Sequence, residues 1–338
     1  MSERKGIAIA GNILVDTVKN IDYYPEMGML ASISSQTRGV GGCVPNTAIN
    51  LAKIDGGIPI FAAGLVGDDE NGRYVISKLK EHGIDTKAVN VTDRAATSYS
   101  DVMSIPGGER TFFHAKGANA LLSGKDIDIS SLNCEILHIG YAMLLDGLDK
   151  PDSEYGTVMA RVLNSAQKAG IKTSVDAVSN KNENYGEIMK ASFKYCDYVI
   201  INEVECCAVW GLKGILDNGD PDVENIREAM KKSLSCGIRE KITVHSKKAG
   251  FCLDKNGRFT VVPSLKIPKG EIKGSVGAGD SFCAAALYGI YRGFDDEKML
   301  SFASAAAVCN LRAENATDGM LPAEEIEKIC EEYERLEL

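Results

Sequence analysis

From residue 135 onward the chain alternates short apolar runs with helical patterns on short links. Residues 136–139, 171–176, 198–201 and 241–245 read as strands. Between the first two, Tyr155, Val158, Met159, Val162, Leu163 and Ala166 recur at helical spacing. Parallel strands need crossovers, so this alternation predicts an α/β chain with a mainly parallel sheet covered on both faces. Residues 250–253 and 258–262 read as a hairpin, and helices over 296–311 and 323–336 close the chain. Nearer the N-terminus, 6–10 and 58–65 read as strands, and 71–82 as an amphipathic helix stopped by Gly83. In such a sheet ligands gather beyond the carboxyl ends of strands, which makes Asp16, in the loop after the first strand, a candidate contact; a plain turn residue is the alternative.

Two stretches have a different texture. Residues 17–37 are polar and mixed, and 85–116 alternate as strands do, with Pro106-Gly107-Gly108 separating 97–105 from 110–114 as a hairpin turn would. Both are expected to form a small β lid on a single domain spanning 1–338, closing over a site to exclude water. Its open strand edges predict a homodimer through the lid.

The net charge of -9 and pI near 5.2 argue against a nucleic-acid partner, which would ask for a basic face. The short N-terminal apolar run is too brief for a secretory signal or a membrane span, so a cytoplasmic location without a membrane partner is expected. Ten cysteines form no C-x-x-C pair and read as reduced, buried thiols. His82, His114, His138 and His245 show no Cys/His ligand spacing, and no structural zinc site is expected.

The chemistry is written in Lys273-Gly274-Ser275-Val276-Gly277-Ala278-Gly279-Asp280-Ser281-Phe282. A glycine loop feeding a helix N-terminus offers unpaired N–H groups and the positive end of the helix dipole, together an anion site. A carboxylate repels a bound phosphate. Asp280 is explained if it takes a proton from a hydroxyl about to attack that phosphate, or if it is merely a helix cap. A second cluster, Gly39-Val40-Gly41-Gly42-Cys43-Val44-Pro45-Asn46, precedes another helix, with Pro45 in its first turn and Asn46 able to donate and accept. Neither cluster completes a dinucleotide fingerprint, and no G-x-x-x-x-G-K-[ST] P-loop occurs.

Taken together, Gly41-Gly42-x-x-x-Asn46-x-Ala48, Asn202-x-x-Glu205 and Gly277-Ala278-Gly279-Asp280 resemble the signatures of the PfkB, or ribokinase-like, carbohydrate kinases, in order and over nearly the whole chain. The resemblance implies a three-layer ribokinase-like fold and transfer of the γ-phosphoryl group of ATP to a sugar hydroxymethyl oxygen. It implies Asp280 as base and the Gly277, Ala278 and Gly279 amides as anion hole. Asp16, Gly41, Gly42 and Asn46 would hold substrate hydroxyls. Asn202 and Glu205 would organise Mg²⁺ through its waters, where a helix cap is the plain alternative. Thr243 matches the nucleotide-contact segment, although His245 stands where a glycine is common. Gly274 replaces an acid that helps hold a monovalent cation, so a requirement for one is left open. Arg110-Thr111-Phe112-Phe113-His114 and Gly117-Ala118-Asn119 resemble sugar-kinase lid segments, with His114 able to reach a hydroxyl.

Two other functions remain open on these residues. A nucleoside kinase would need an aromatic cradle, for which only Tyr23, Tyr24, Phe112 and Phe113 are candidates. A non-catalytic sugar- or nucleotide-binding regulator would have no use for Asp280.

Overall fold

In a computed structural model describing residues 4–105, 110–179 and 182–338, β1 (Ile7–Gly11) is an inner strand of the main sheet. β2 (Leu14–Ile21) and β3 (Ile33–Gly41) follow, then α1 (Cys43–Ile54), β4 (Ile60–Gly67), α2 (Glu70–Glu81) and β5 (Asp85–Thr92). β6 (Ser98–Ser104) and β7 (Arg110–Ala115) precede β8 (Ile136–Ala142), a two-residue ladder of β9 (Pro151–Asp152) and β10 (Gly156–Thr157), and α3 (Val158–Lys168). The second half runs β11 (Lys172–Ala177), α4 (Tyr185–Phe193), β12 (Tyr198–Asn202), α5 (Glu203–Ala208), α6 (Val223–Ser235) and β13 (Lys241–His245). β14 (Ala249–Asp254), β15 (Phe259–Pro263), α7 (Ala278–Tyr291), α8 (Asp296–Leu311) and α9 (Ala323–Glu332) complete it.

The main sheet has nine strands in the order β15-β14-β13-β12-β11-β8-β1-β4-β5. All pairings from β13 to β5 are parallel, and β14 and β15 add an antiparallel edge. In β1 the two-residue period splits the core. Ile7 and Ile9 pack with α1, α7 and α8, while Ala8 and Ala10 face the layer of α3, α4 and α6. α7 is buried almost all round from Asp280 to Gly289, as a helix wedged between sheet and neighbours should be. Asp69, Thr157, Asp222 and Asp295 each cap a helix by accepting from a backbone N–H three residues on.

The second sheet, ordered β3-β2-β6-β7, is the expected appendage, but its boundary differs. Asp85–Thr92 pairs parallel with β4 in the main sheet, so only the later part of 85–116 joins the small sheet. An edge strand with one covered face alternates just as an appended strand does, and β4 would otherwise be left with a bare edge. The turn at Pro106-Gly107-Gly108 lies outside the described residues; the antiparallel pairing of β6 with β7 fits it. Tyr155 sits ahead of α3 and not on it, because Thr157 starts the helix. The last helix ends at Glu332, where the chain turns to bridge Leu265 with Arg335. Among the described residues no helix is long and apolar enough to cross a membrane.

Candidate active site

The carboxyl ends of β8, β11, β12 and β13 converge on the first turn of α7 around a cavity of about 280 Å³, lined among others by Tyr141, Asp176, Asn202, Glu205, His245 and Asp280. That is the strand-end position at which open parallel sheets bind ligands.

Asp280 stands in the first turn of α7, after the N-cap Gly277, and is only 6% exposed. It caps nothing. Asn46 Nδ2 donates to its Oδ2 at 2.9 Å, bringing the two glycine clusters together across 234 residues. The Tyr141 hydroxyl donates to both of its oxygens. Burial pushes the Asp280 carboxyl up to about 7; the bond from Asn46 works against this, and Asp176 and Asp16 nearby add to the rise. At neutral pH it is therefore poised between acid and carboxylate, as a general base should be.

Gly277 has φ 80, and a Cβ there would meet Ala316 Cβ at 2.3 Å, so both conformation and space require glycine. A Cβ on Gly279 would find nothing nearer than His245 Cε1 at 3.5 Å. Ala278 N donates to Ser275 O at 3.4 Å, a weak bond for one of the amides that opens the helix. The loop thus leaves N–H groups of the α7 terminus beside the Asp280 carboxyl, which is the arrangement an attacking hydroxyl and a transferring phosphoryl group require.

Asp16 lies on β2 and not in a loop, opposite Gly39 of β3 and Ser100 of β6, with Ser100 in turn opposite His114 of β7. Ser100 Oγ and His114 Nδ1 are 3.1 Å apart, so these polar groups form one row across the small sheet. Burial raises the Asp16 carboxyl to about 6 against the bond from Ser100, and burial lowers His114. Gly41 is pressed on this carboxylate: a Cβ would sit 2.1 Å from Asp16 Oδ2. Gly42, at φ 87, would place one 2.6 Å from both Asn12 O and Asn12 Oδ1. Asn119 spends its side chain on the backbone N–H and C=O of Ile13, fixing the link between the two sheets.

Asn202 and Glu205 form a capping box at α5: Asn202 Oδ1 accepts from Glu205 N, and Glu205 Oε2 accepts from Asn202 N. The cap and the cavity wall are the same residues. Burial raises Glu205 to about 7, opposed by Asn202 N–H and helped by Asp176. Among the described residues neither Glu205, Asp176, Asp16 nor Asp280 pairs with a lysine or arginine. An acid-walled cavity of this kind suits a hydrated dication.

Thr243 is not brought to the cavity. It is 1% exposed, two residues short of the strand end, with Cys252 Sγ as its neighbour at 4.0 Å. The residue of β13 that reaches the wall is His245, its ring 4.9 Å from that of Phe282 and its imidazole pushed down to about 4 by burial. Sequence reasoning missed Asp176 and Tyr141. Asp176 carried a signal, since it ends an apolar run just as the rule applied to Asp16 requires. Tyr141 did not: it is one of two non-glycine residues with positive φ among the described residues, at 66°, next to Met143 at 82°. Its N–H donates to Asp176 Oδ1, and Cys43 Sγ fills the space a Cβ on Gly140 would need.

The sequence model of the pfkB family carbohydrate kinases matches residues 7–324. The chain is 25% identical over 307 residues to a 5-dehydro-2-deoxygluconokinase of Shouchella clausii, covering 88% of each chain. It is 23% identical over 321 residues to a ribokinase of Arabidopsis thaliana, covering 93% of this chain and 78% of that one. Among solved structures, the Arabidopsis thaliana ribokinase complexed with ribose and ATP superposes at TM-score 0.79, with 21% identity over 97% of this chain and 99% of the other. The Thermotoga maritima ribokinase does so at 0.78, with 20% identity over 97% and 99%.

Proposed function

The chain belongs to the pfkB family of carbohydrate kinases, and from that premise we propose that it transfers the γ-phosphoryl group of ATP to a hydroxymethyl oxygen of a small carbohydrate, a sugar or sugar acid, with Asp280 as base. The observation that carries this is the buried Asp280 carboxyl, near neutral pKa, beside the amides of a glycine-capped helix. Asp280 takes the hydroxyl proton while the Gly277, Ala278 and Gly279 amides hold the phosphoryl oxygens, so the chain supplies alignment and charge stabilisation. Mg²⁺, when bound with ATP, neutralises phosphate charge. Asn202 and Glu205 would position it, and because both Glu205 oxygens are already bonded, to Asn202 N and Ser179 Oγ, they would do so through water.

Asp16, Gly41, Gly42 and Asn46 would hold the sugar, with Ser100 and His114 completing the row. The small sheet is proposed as the lid. Exposed Phe112 and Phe113 on β7, with Met27 and Leu30 in the β2–β3 connection, support burial against the lid of a second copy. Ten free thiols support a reducing, cytoplasmic setting. Release of ADP across neutral sugars, sugar acids and nucleosides tests the reading. Turnover on a nucleoside alone would replace it with the nucleoside kinase, and binding without turnover on anything would make the chain a regulator.

A further inference from the structure

Beneath the cavity, three side chains from distant parts of the sequence meet. Cys43 opens α1, His138 lies on β8 and Asp176 on β11, and one ligand atom from each lies within 4.8 Å of the others. Cys43 and His138 are fully buried and Asp176 nearly so. His138 Nε2 is 3.4 Å from Asp176 Oδ2, and a fourth group, Cys283 Sγ of α7, is 3.6 Å from the same nitrogen. The other ring nitrogen, Nδ1, is tied to Ser174 Oγ at 2.9 Å, the kind of outer partner that fixes the ring of a ligating histidine.

Zinc bonds of about 2.0–2.3 Å to nitrogen, oxygen and sulfur give tetrahedron edges of roughly 3.2–3.8 Å; Asp176 Oδ2 and Cys283 Sγ stand at such separations from His138 Nε2, and Cys43 lies within 4.8 Å of His138 and Asp176. Two sulfurs, an imidazole and a carboxylate make a soft donor set that favours Zn²⁺ over Mg²⁺. We propose that Cys43, His138 and Asp176, with Cys283 drawn in as the fourth ligand from beside His138, form a binding site for a thiophilic dication such as Zn²⁺, and that its occupation inhibits the enzyme.

Asp176 and Asp280 lie close to both thiols, and among the described residues neither carboxyl pairs with a lysine or arginine. A dication supplies positive charge there, and the two thiols release their protons to solvent as it binds. Asp176 and Cys283 also line the cavity, which gives the ion a way in. Inhibition follows from shared ligands, because Asp176 accepts from the Tyr141 N–H and the Tyr141 hydroxyl holds Asp280. A metal on Asp176 places positive charge beside Asp280 and weakens it as a base. Spacing along the chain hid the site, since its members come from four separate elements.

The binding claim stands by itself, whereas the inhibition rests on the kinase reading. Chelator-treated full-length protein titrated with Co²⁺ should show, at one equivalent, a thiolate-to-cobalt charge-transfer band and the visible bands of tetrahedral cobalt, both removed by Zn²⁺. Cys43→Ser should lower Co²⁺ affinity at least about tenfold, while Cys236→Ser, outside the cluster, should not. Absence of a thiolate band in the wild type, which needs no variant to fold, overturns the site; so does a band unchanged in both Cys43→Ser and His138→Asn. In the kinase assay Zn²⁺ should reduce kcat at saturating Mg-ATP, reversibly with chelator and less in Cys43→Ser. A cobalt band with turnover unaffected by Zn²⁺ would keep the site and overturn its inhibitory role. A cobalt band with no turnover on any acceptor would confirm the site and overturn the kinase reading alone.

Discussion

The Tyr141 hydroxyl lies 2.9 Å from each oxygen of Asp280, a forked bond from one strand end to the first turn of the opposing helix. Its phenol is pushed far above its ordinary range by burial and by Asp280, so it stays a donor at every working pH. A donor of this kind favours the ionised carboxylate and counters the burial that raises Asp280 to about 7.

Tyr141→Phe should therefore move the acidic limb of the kcat/KM profile from near pH 7 to higher pH. A bond to a charged group is worth about 1.5–3 kcal/mol, or roughly one to two pH units. The pH–rate profile of the purified variant checks this, and an unmoved limb would remove Tyr141 from the base's environment.

Asp280→Asn should lower kcat by about 10²–10⁴-fold with the fold intact. It should also stabilise the protein. The folded-state pKa of Asp280 is raised, from 3.8 to about 7, so the native state binds the proton more tightly and the buried charge costs stability as pH rises through that window. The variant's Tm should exceed the wild type's by about 2–6 °C at pH 8, with the gain shrinking towards pH 4. Melting curves across pH decide it; a Tm below wild type at pH 8 would mean that the charge is structural.

Gly277→Ala and Gly279→Ala should part company. At Gly277 the added methyl meets Ala316 in a left-handed backbone, and a loss of about 1–3 kcal/mol together with activity is expected. At Gly279 the methyl has room beside His245, so stability should hold while KM for ATP rises. Denaturant midpoints and ATP kinetics separate the two; equal destabilisation would contradict the steric reading.

Much of this was legible in the sequence wherever the signal was local. The glycine runs at Gly41 and Gly277, the alternation from 135 onward and the Asn202–Glu205 cap are contiguous patterns, and each produced its element. What escaped was assembled by strand order. Tyr141, Asp176 and His245 become neighbours only because β8, β11, β12 and β13 lie side by side and end together. Thr243 stops two residues short of the end of β13, a distance that decides whether a side chain meets the cavity or Cys252. The small sheet's edge was misjudged because β5 alternates like a lid strand while pairing with β4.

Leu30→Asp combined with Phe112→Asp should convert a dimer to a monomer in light scattering, because both side chains, one in the β2–β3 connection and one on β7, are more than half exposed. A wild type that is already monomeric would remove the lid interface.

The most direct measurement is ADP release by the wild type and Asp280→Asn side by side, with Mg-ATP and a panel of neutral sugars, sugar acids and nucleosides. Turnover on a sugar or sugar acid, reduced by at least about 10²-fold in the folded variant, is the predicted result. Equal turnover in the two proteins, or turnover confined to nucleosides, would contradict it.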